Sequence, residues 1–243
     1  MTMSGKKKNN NSFSGESLTE DTISAIREGL GLKPKKRIDE AFVVQSRKFN
    51  LPTELLSQKT KVAHEELLDG YVETLNEVSA KLDTVDRETA NSNDSDYRSL
   101  KIDETYNCNA AFLHGLYFEN ISDLHSKVTM DSLSYIRLER DFGTFDAWQK
   151  DFIACCMSSR NGWAITVYNA FLDRYMNVVV DLHSLNVPIN CYPVIVMDMW
   201  EHAYYKDYLT DKKSYVFGMM KQFNWPTIEE RFKKSEKIAK AMK

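Results

Sequence analysis

The chain has 243 residues, of which 42% are hydrophobic and 12% aromatic, with a formal net charge of -3. That apolar share excludes a mainly disordered chain, and the length suits one ordinary domain with extensions or two small lobes around a shared core. Apolar runs such as Tyr192 to Met197 are far too short to cross a bilayer, which excludes a helical membrane protein.

Taken in chain order, residues 1–16 are polar and rich in Lys, Asn, Ser and Gly, the composition of a segment without a core. Lys6, Lys7 and Lys8 have no apolar stretch behind them and Glu16, Glu20 and Asp21 follow, so neither a secretory signal nor a transit peptide is expected. From Leu18, the residues Ile23, Ile26 and Leu30 predict a short amphipathic helix ended by Gly29 and Gly31, and residues 33–37 form a basic linker. Residues 1–48 carry ten Lys/Arg against six Asp/Glu, whereas the remainder carries 22 against 29. The chain is therefore expected to bear a basic, partly disordered N-terminal extension (1–48) on an acidic body. Such a tail is either a solvated appendage or an anchor for an acidic partner or assembly.

After Leu51-Pro52, Leu55 to Leu82 reads as a long helix with Val62, Leu67, Val72 and Leu75 at helical intervals. Asp83 to Asp103 reads as a polar connection, and Tyr106 to Phe118 as a buried helix, giving an antiparallel hairpin. Phe145 to Met157 is predicted helical. Trp163 to Tyr168, Met176 to Leu182 and Tyr192 to Met197, rich in Val, Ile and aromatics, are predicted strands. A Trp- and Tyr-rich helical tail follows, with Pro226 at a helix start. The expected fold class is α+β, an N-terminal helical hairpin (49–125) packed on a C-terminal α/β lobe (126–243) with a three-stranded antiparallel sheet. Cys108, Cys155, Cys156 and Cys191 lack paired-ligand spacing, so thiols in the cytoplasm or another reducing compartment are expected.

There are five histidines: His64, His114, His125, His183 and His202. Asp198 ends an apolar strand and His202 follows one turn later. That placement suits either a shared metal or a buried Asp–His hydrogen bond, and spacing alone favours the hydrogen bond.

The run Asp198-Met-Trp-Glu-His202-Ala-Tyr-Tyr205 resembles the signature of the iron/manganese superoxide dismutases. Ser57 to His64, Tyr71-Val-Glu-Thr-Leu-Asn76, Asn109-Ala-Ala with His114-Gly-Leu-Tyr-Phe-Glu-Asn120, Asp141-Phe-Gly-Thr-Phe145, Gly162-Trp163 and Phe223-Asn-Trp225 are similar to the family's other motifs, in the family's order. The resemblance implies one iron or manganese ion per chain, held by His64, His114, Asp198 and His202 with a solvent molecule as fifth ligand. It implies superoxide as substrate, oxidised to dioxygen in one half-reaction and reduced with two protons to hydrogen peroxide in the other. Tyr71 resembles the gateway tyrosine, His183 the histidine that some members carry where others have glutamine, and Trp163 and Trp200 the aromatic walls. His183, and the lack of an Asn-Gln-Asp-like segment, lean towards iron or use of either metal. A homodimer through Glu201 and Tyr205 is implied as well.

The sequence departs from the family's pattern in three places. His64 and Tyr71 are one residue closer than usual, the histidine expected four residues before Tyr71 is Leu67, and the position four before His114 is Ala110. These departures raise an alternative, a dismutase-like structural subunit of a virion or ribosome with weak or no activity.

Overall fold

The computed structural model describes residues 16–17, 26, 29, 41–121 and 126–241. The polar segment expected over 1–16, the helix expected from residue 18, the linker at 33–37 and the boundary at 125 lie almost wholly outside the described residues.

By its contacts the chain divides into two compact units, residues up to 46 with 72–104, and residues 47–71 with 105–243. In the first unit, Glu16–Ser17 (β1) pairs antiparallel with Phe42–Val43 (β2), so part of the expected extension is ordered strand. The Phe42 N–H donates to Ser79 Oγ (2.7 Å). Asn76 both accepts from the Val44 N–H (2.7 Å) and donates to the Val44 carbonyl (2.9 Å). Ser79 and Asn76 lie on a long helix, Gln58–Leu82 (α1). It starts three residues later than the sequence suggested, because Ser57 Oγ takes the Thr60 N–H (3.2 Å) and so caps the first turn. The helical stripe also needs correction, since Val62 and Leu67 are 46% and 36% exposed. The buried stripe is instead Thr60, His64, Leu68, Val72, Leu75 and Leu82, a face built on polar residues at its N-terminal end.

The second long helix, Asp96–Asn120 (α2), begins ten residues before the predicted Tyr106 start. Its early turns are polar and exposed, which hides them from a search for apolar periodicity, but Ser95 Oγ caps them by accepting the Arg98 N–H (3.3 Å). Within the second unit the two helices run antiparallel. His64 faces His114 and Phe118 (ring centroids 5.1 and 4.8 Å), while Tyr71, two turns later, faces Tyr106 (6.4 Å).

The rest of the second unit is the α/β lobe. Leu133–Phe142 (α3) was not anticipated as a helix, although Ser132 caps its start and Gly143, at φ 86°, ends it in a backbone region that favours glycine. Phe145–Ser158 (α4) follows from its Thr144 cap. Gly162–Asn169 (β3), Arg174–Asp181 (β4) and Cys191–Asp198 (β5) form an antiparallel sheet of order β4-β3-β5, as expected. β3 lies at the centre and is buried from Gly162 to Tyr168, which its unbroken apolar run requires. Gly162 is obligatory there, since a Cβ would sit 2.1 Å from the Val180 carbonyl oxygen. The predicted helical tail resolves into Glu201–Tyr208 (α5), Lys212–Lys221 (α6) and Trp225–Ala241 (α7).

Two buried polar groups tie α2 to the sheet. Asn120 donates to the Val196 carbonyl (2.7 Å), and Arg231 of α7 donates to the Leu116 carbonyl (2.9 Å) and to Glu119 (2.8 Å). A buried guanidinium left without such partners would be costly, so these bonds hold the C-terminal end of α2 against β5. No helix among the described residues is long and apolar enough to cross a membrane.

Candidate metal centre

Four residues from four elements meet inside the second unit. His64 comes from α1, His114 from α2, Asp198 from the last position of β5, and His202 from the first turn of α5. One potential ligand atom from each lies within 4.8 Å of all the others. Asp198 Oδ2 is the hub, with Nε2 of His64, His202 and His114 at 3.1, 3.4 and 3.6 Å. The other carboxylate oxygen, Oδ1, is taken by the Trp200 N–H at 2.8 Å, so the rotamer is fixed and Oδ2 is left to the imidazoles.

The protonation of this cluster follows from its surroundings. His114 Nδ1 lies 2.7 Å from the Ala110 carbonyl, which only accepts, so Nδ1 carries the proton and Nε2 a lone pair. Burial pushes His114 down to about 3, against an opposing pull from Asp198. His64 is lowered too, chiefly by burial. Burial raises Asp198, but the imidazoles of His202 and His64 outweigh it and hold the carboxyl below the usual range. The result at neutral pH is one carboxylate facing the neutral imidazoles of His64 and His114. Nε2 of His114 and of His202 are buried without a hydrogen-bond partner. Orphaned buried polar atoms of this kind each cost about 1–3 kcal/mol, and their convergence with a carboxylate oxygen is what a metal ion relieves. Three imidazoles and one carboxylate, with no thiolate, suit iron or manganese.

Around the cluster, the remaining residues predicted from the sequence also gather. His183, fully buried, accepts the Trp163 Nε1–H at Nδ1 (3.0 Å). Since indole nitrogen only donates, the His183 proton sits on Nε2, where it is donated to the Tyr71 hydroxyl (3.1 Å). Burial lowers His183 to about 4 and raises Tyr71 to about 12, so both are neutral at pH 7. Trp200 stacks on His183 (centroids 4.9 Å) and on His202 (5.7 Å), and Trp163 meets His114 edge-on (4.9 Å). Glu201 and Tyr205, the residues implied for a dimer, are exposed in the single chain.

Several neighbours were missed at the sequence level. Tyr106 packs on His183 (4.7 Å) and shares a hydrogen bond with Tyr71. Asn109 donates to the His183 carbonyl (2.8 Å), and Tyr117 and Tyr215 join hydroxyls beneath Asp198 (2.9 Å). Tyr106 and Tyr117 lie eight residues before and three after His114, spacings that share its helix face and are the one signal by which sequence alone finds them.

Residues 133–231 match the family described as iron/manganese superoxide dismutases, C-terminal domain. The chain is 36% identical over 177 residues to a superoxide dismutase [Fe] of Aquifex pyrophilus, an alignment covering 72% of this chain and 82% of that relative. It is 29% identical over 177 residues to a superoxide dismutase [Fe] of Methanothermobacter marburgensis, covering 72% and 86%. A superoxide dismutase [Mn] 1 of Halobacterium salinarum is 32% identical over 133 residues, covering 55% of this chain and 66% of the relative.

Proposed function

The chain belongs to the iron/manganese superoxide dismutase family, and from that premise we propose that it converts superoxide to dioxygen and hydrogen peroxide, using one iron or manganese ion held by His64, His114, Asp198 and His202. The observation that carries the site assignment is the convergence of those four ligand atoms within 4.8 Å, two of the imidazole nitrogens being buried and otherwise unpartnered. A bound iron or manganese ion would supply the one-electron exchange that the two half-reactions need.

The chain's own groups do the rest. The Ala110 carbonyl fixes the His114 tautomer, and the Trp200 N–H fixes the Asp198 rotamer, so the ligand set is arranged before the ion arrives. His183, held neutral by burial, spends its N–H on the Tyr71 hydroxyl and so holds Tyr71, also neutral, beside His114 (ring centroids 5.2 Å), at the edge of the ligand cluster. Trp163 and Trp200 wall the site and keep its interior dry. We assign the metal as iron, or either metal in use, on the presence of His183 and on the Fe-named relatives at 72% coverage. The chain pairs with a second copy across the exposed Glu201–Tyr205 surface of α5. A non-catalytic subunit would be expected to lose ligand positions, and here all four are filled.

Metal analysis with superoxide decay tests the reading. The chain purified from cells supplied with both metals is expected to hold about one iron or manganese ion and to accelerate decay by many orders of magnitude over the uncatalysed rate. Bound metal without activity points to the structural subunit, and no metal after reconstitution removes both readings.

A further inference from the structure

Asp198 is anchored twice. Its carboxylate Oδ1 takes the Trp200 N–H, and its backbone carbonyl, at the last residue of β5, accepts the Tyr215 hydroxyl of α6 at 2.8 Å. The second anchor has a fixed direction. A carbonyl only accepts, so the Tyr215 proton is spent on Asp198, and the neighbouring Tyr117 hydroxyl of α2, 2.9 Å away, must donate to the Tyr215 oxygen. Both tyrosines are wholly buried, and Tyr117 lays its ring against His64 at 5.4 Å between centroids. The pair thus touches the carboxylate residue through its backbone and one imidazole through its ring, from two elements that supply neither group.

We propose that Tyr117 and Tyr215 are positioning residues for the metal, a two-hydroxyl strut that fixes where β5 ends and so where Asp198 Oδ2 points. The proposal rests on the metal-centre reading given above. Beyond Asp198 one backbone bond remains, from the Met199 N–H to the Gly162 carbonyl (2.9 Å), but the Asp198 carbonyl itself is held by the Tyr215 hydroxyl, and the three imidazoles cannot hold its main chain. Loss of the Tyr215 hydroxyl lets the carbonyl and the carboxylate drift together, and the ion is then shared by ligands that no longer converge. The Tyr117 hydroxyl acts only through the Tyr215 oxygen, so the effect of removing it requires Tyr215.

The test uses the full chain loaded with Mn(II) and measures release of the ion into excess EDTA. Y215F is expected to speed release by about tenfold, the scale on which outer partners of metal ligands act, and Y117F by less. The Y117F/Y215F double variant is expected to match Y215F alone. Y175F serves as the control, because Tyr175 also loses a buried hydroxyl partner (Ser235, 2.6 Å) but lies away from the ligands in the lobe. It is expected to lower the melting temperature and leave release unchanged. Wild-type release from Y215F, or equal acceleration by Y175F, overturns the proposal, since a purely structural role would do one or the other. If Y215F does not fold, Y117F carries the comparison with Y175F. A wild-type chain that takes up no Mn(II) or iron overturns the metal reading, and this one with it. A loaded wild type with unchanged Y215F release overturns this one alone.

Discussion

At the scale of single residues, Asp198 does most to organise the site, being the one anion among three imidazoles and wholly buried. Asp198→Asn keeps the volume but removes the charge and turns an amide into a space built for acceptors. Metal affinity is expected to fall by more than about 100-fold, beyond what loss of an outer partner causes, and the metal-to-protein ratio after dialysis checks it. The histidines give a pH dependence of definite sign. Burial holds His183 at about 4 against 6.5 when free, and it lowers His64 and His114 as well. In the metal-free protein the unfolded chain therefore binds protons in that window that the folded chain refuses. Stability is fully present above the free value of 6.5 and is lost as pH falls towards 4. His183→Gln removes one such proton, so its stability curve should be shallower there by up to about 1.4 kcal/mol per pH unit. Denaturant titrations of the metal-free proteins at several pH values measure this, and parallel curves would contradict it. Asp198 and His202 were legible in the sequence because they are four residues apart and joined by a distinctive run. In the Trp163–His183–Tyr71 chain, His183 and Tyr71 are 112 residues apart, and no local pattern reveals which donor meets which acceptor.

At the scale of elements, the three strands were readable from β-branched and aromatic runs, whereas the helices were readable only where their buried face was apolar. On α1, the apolar spacing of Val62, Leu67, Val72 and Leu75 marks the buried face only at Val72 and Leu75, because towards its N-terminal end that face carries Thr60 and His64 while Val62 and Leu67 are exposed. The early turns of α2 and the whole of α3 announce themselves by caps, Ser95, Ser132 and Gly143, more clearly than by hydrophobic spacing. Two glycines separate strain from collision. Gly143 sits at φ 86° in open space, so Gly143→Ala is expected to cost only about 1–2 kcal/mol of backbone strain and to leave metal content unchanged. Gly162 has an ordinary φ but faces the β4 backbone, with Val180 O at 2.1 Å and Asp181 Cα at 2.9 Å from a built Cβ. Backbone on both sides cannot yield, so Gly162→Ala must part β3 from β4 and displace Trp163, the next residue. Its melting temperature should drop further than that of Gly143→Ala, with loss of metal as well. Comparable melting temperatures for the two variants would show that the sheet can yield there.

For the whole molecule, the question is where the N-terminal extension stops and the folded body begins. Charge put that boundary at residue 48, but residues 41–48 carry bonds that a tail does not make. Val44 and Asn76 exchange two hydrogen bonds, Phe42 donates to Ser79, Arg47 pairs with Glu119, and the Arg47 guanidinium lies 4.9 Å from the Phe49 ring centroid. Glu119 is also a partner of Arg231, the residue that ties α2 to the sheet, so Arg47 helps neutralise a carboxylate that the body relies on. Composition cannot reveal this, because Arg47 and Lys48 count towards a basic tail whichever way they point. Removing residues 1–40 is therefore expected to leave metal content and superoxide turnover intact. Removing 1–48 discards about three backbone-to-side-chain bonds and two ion pairs, Arg47–Glu119 and the exposed Lys48–Asp69; the three bonds and the Arg47 pair are worth roughly 2–4 kcal/mol together at about 1 kcal/mol each. The longer truncation should melt at least several degrees lower than the shorter one while still binding metal, since none of the four candidate ligands is removed. Equal melting temperatures for the two would return the boundary to residue 48, and loss of turnover in the shorter truncation would make the extension part of the enzyme.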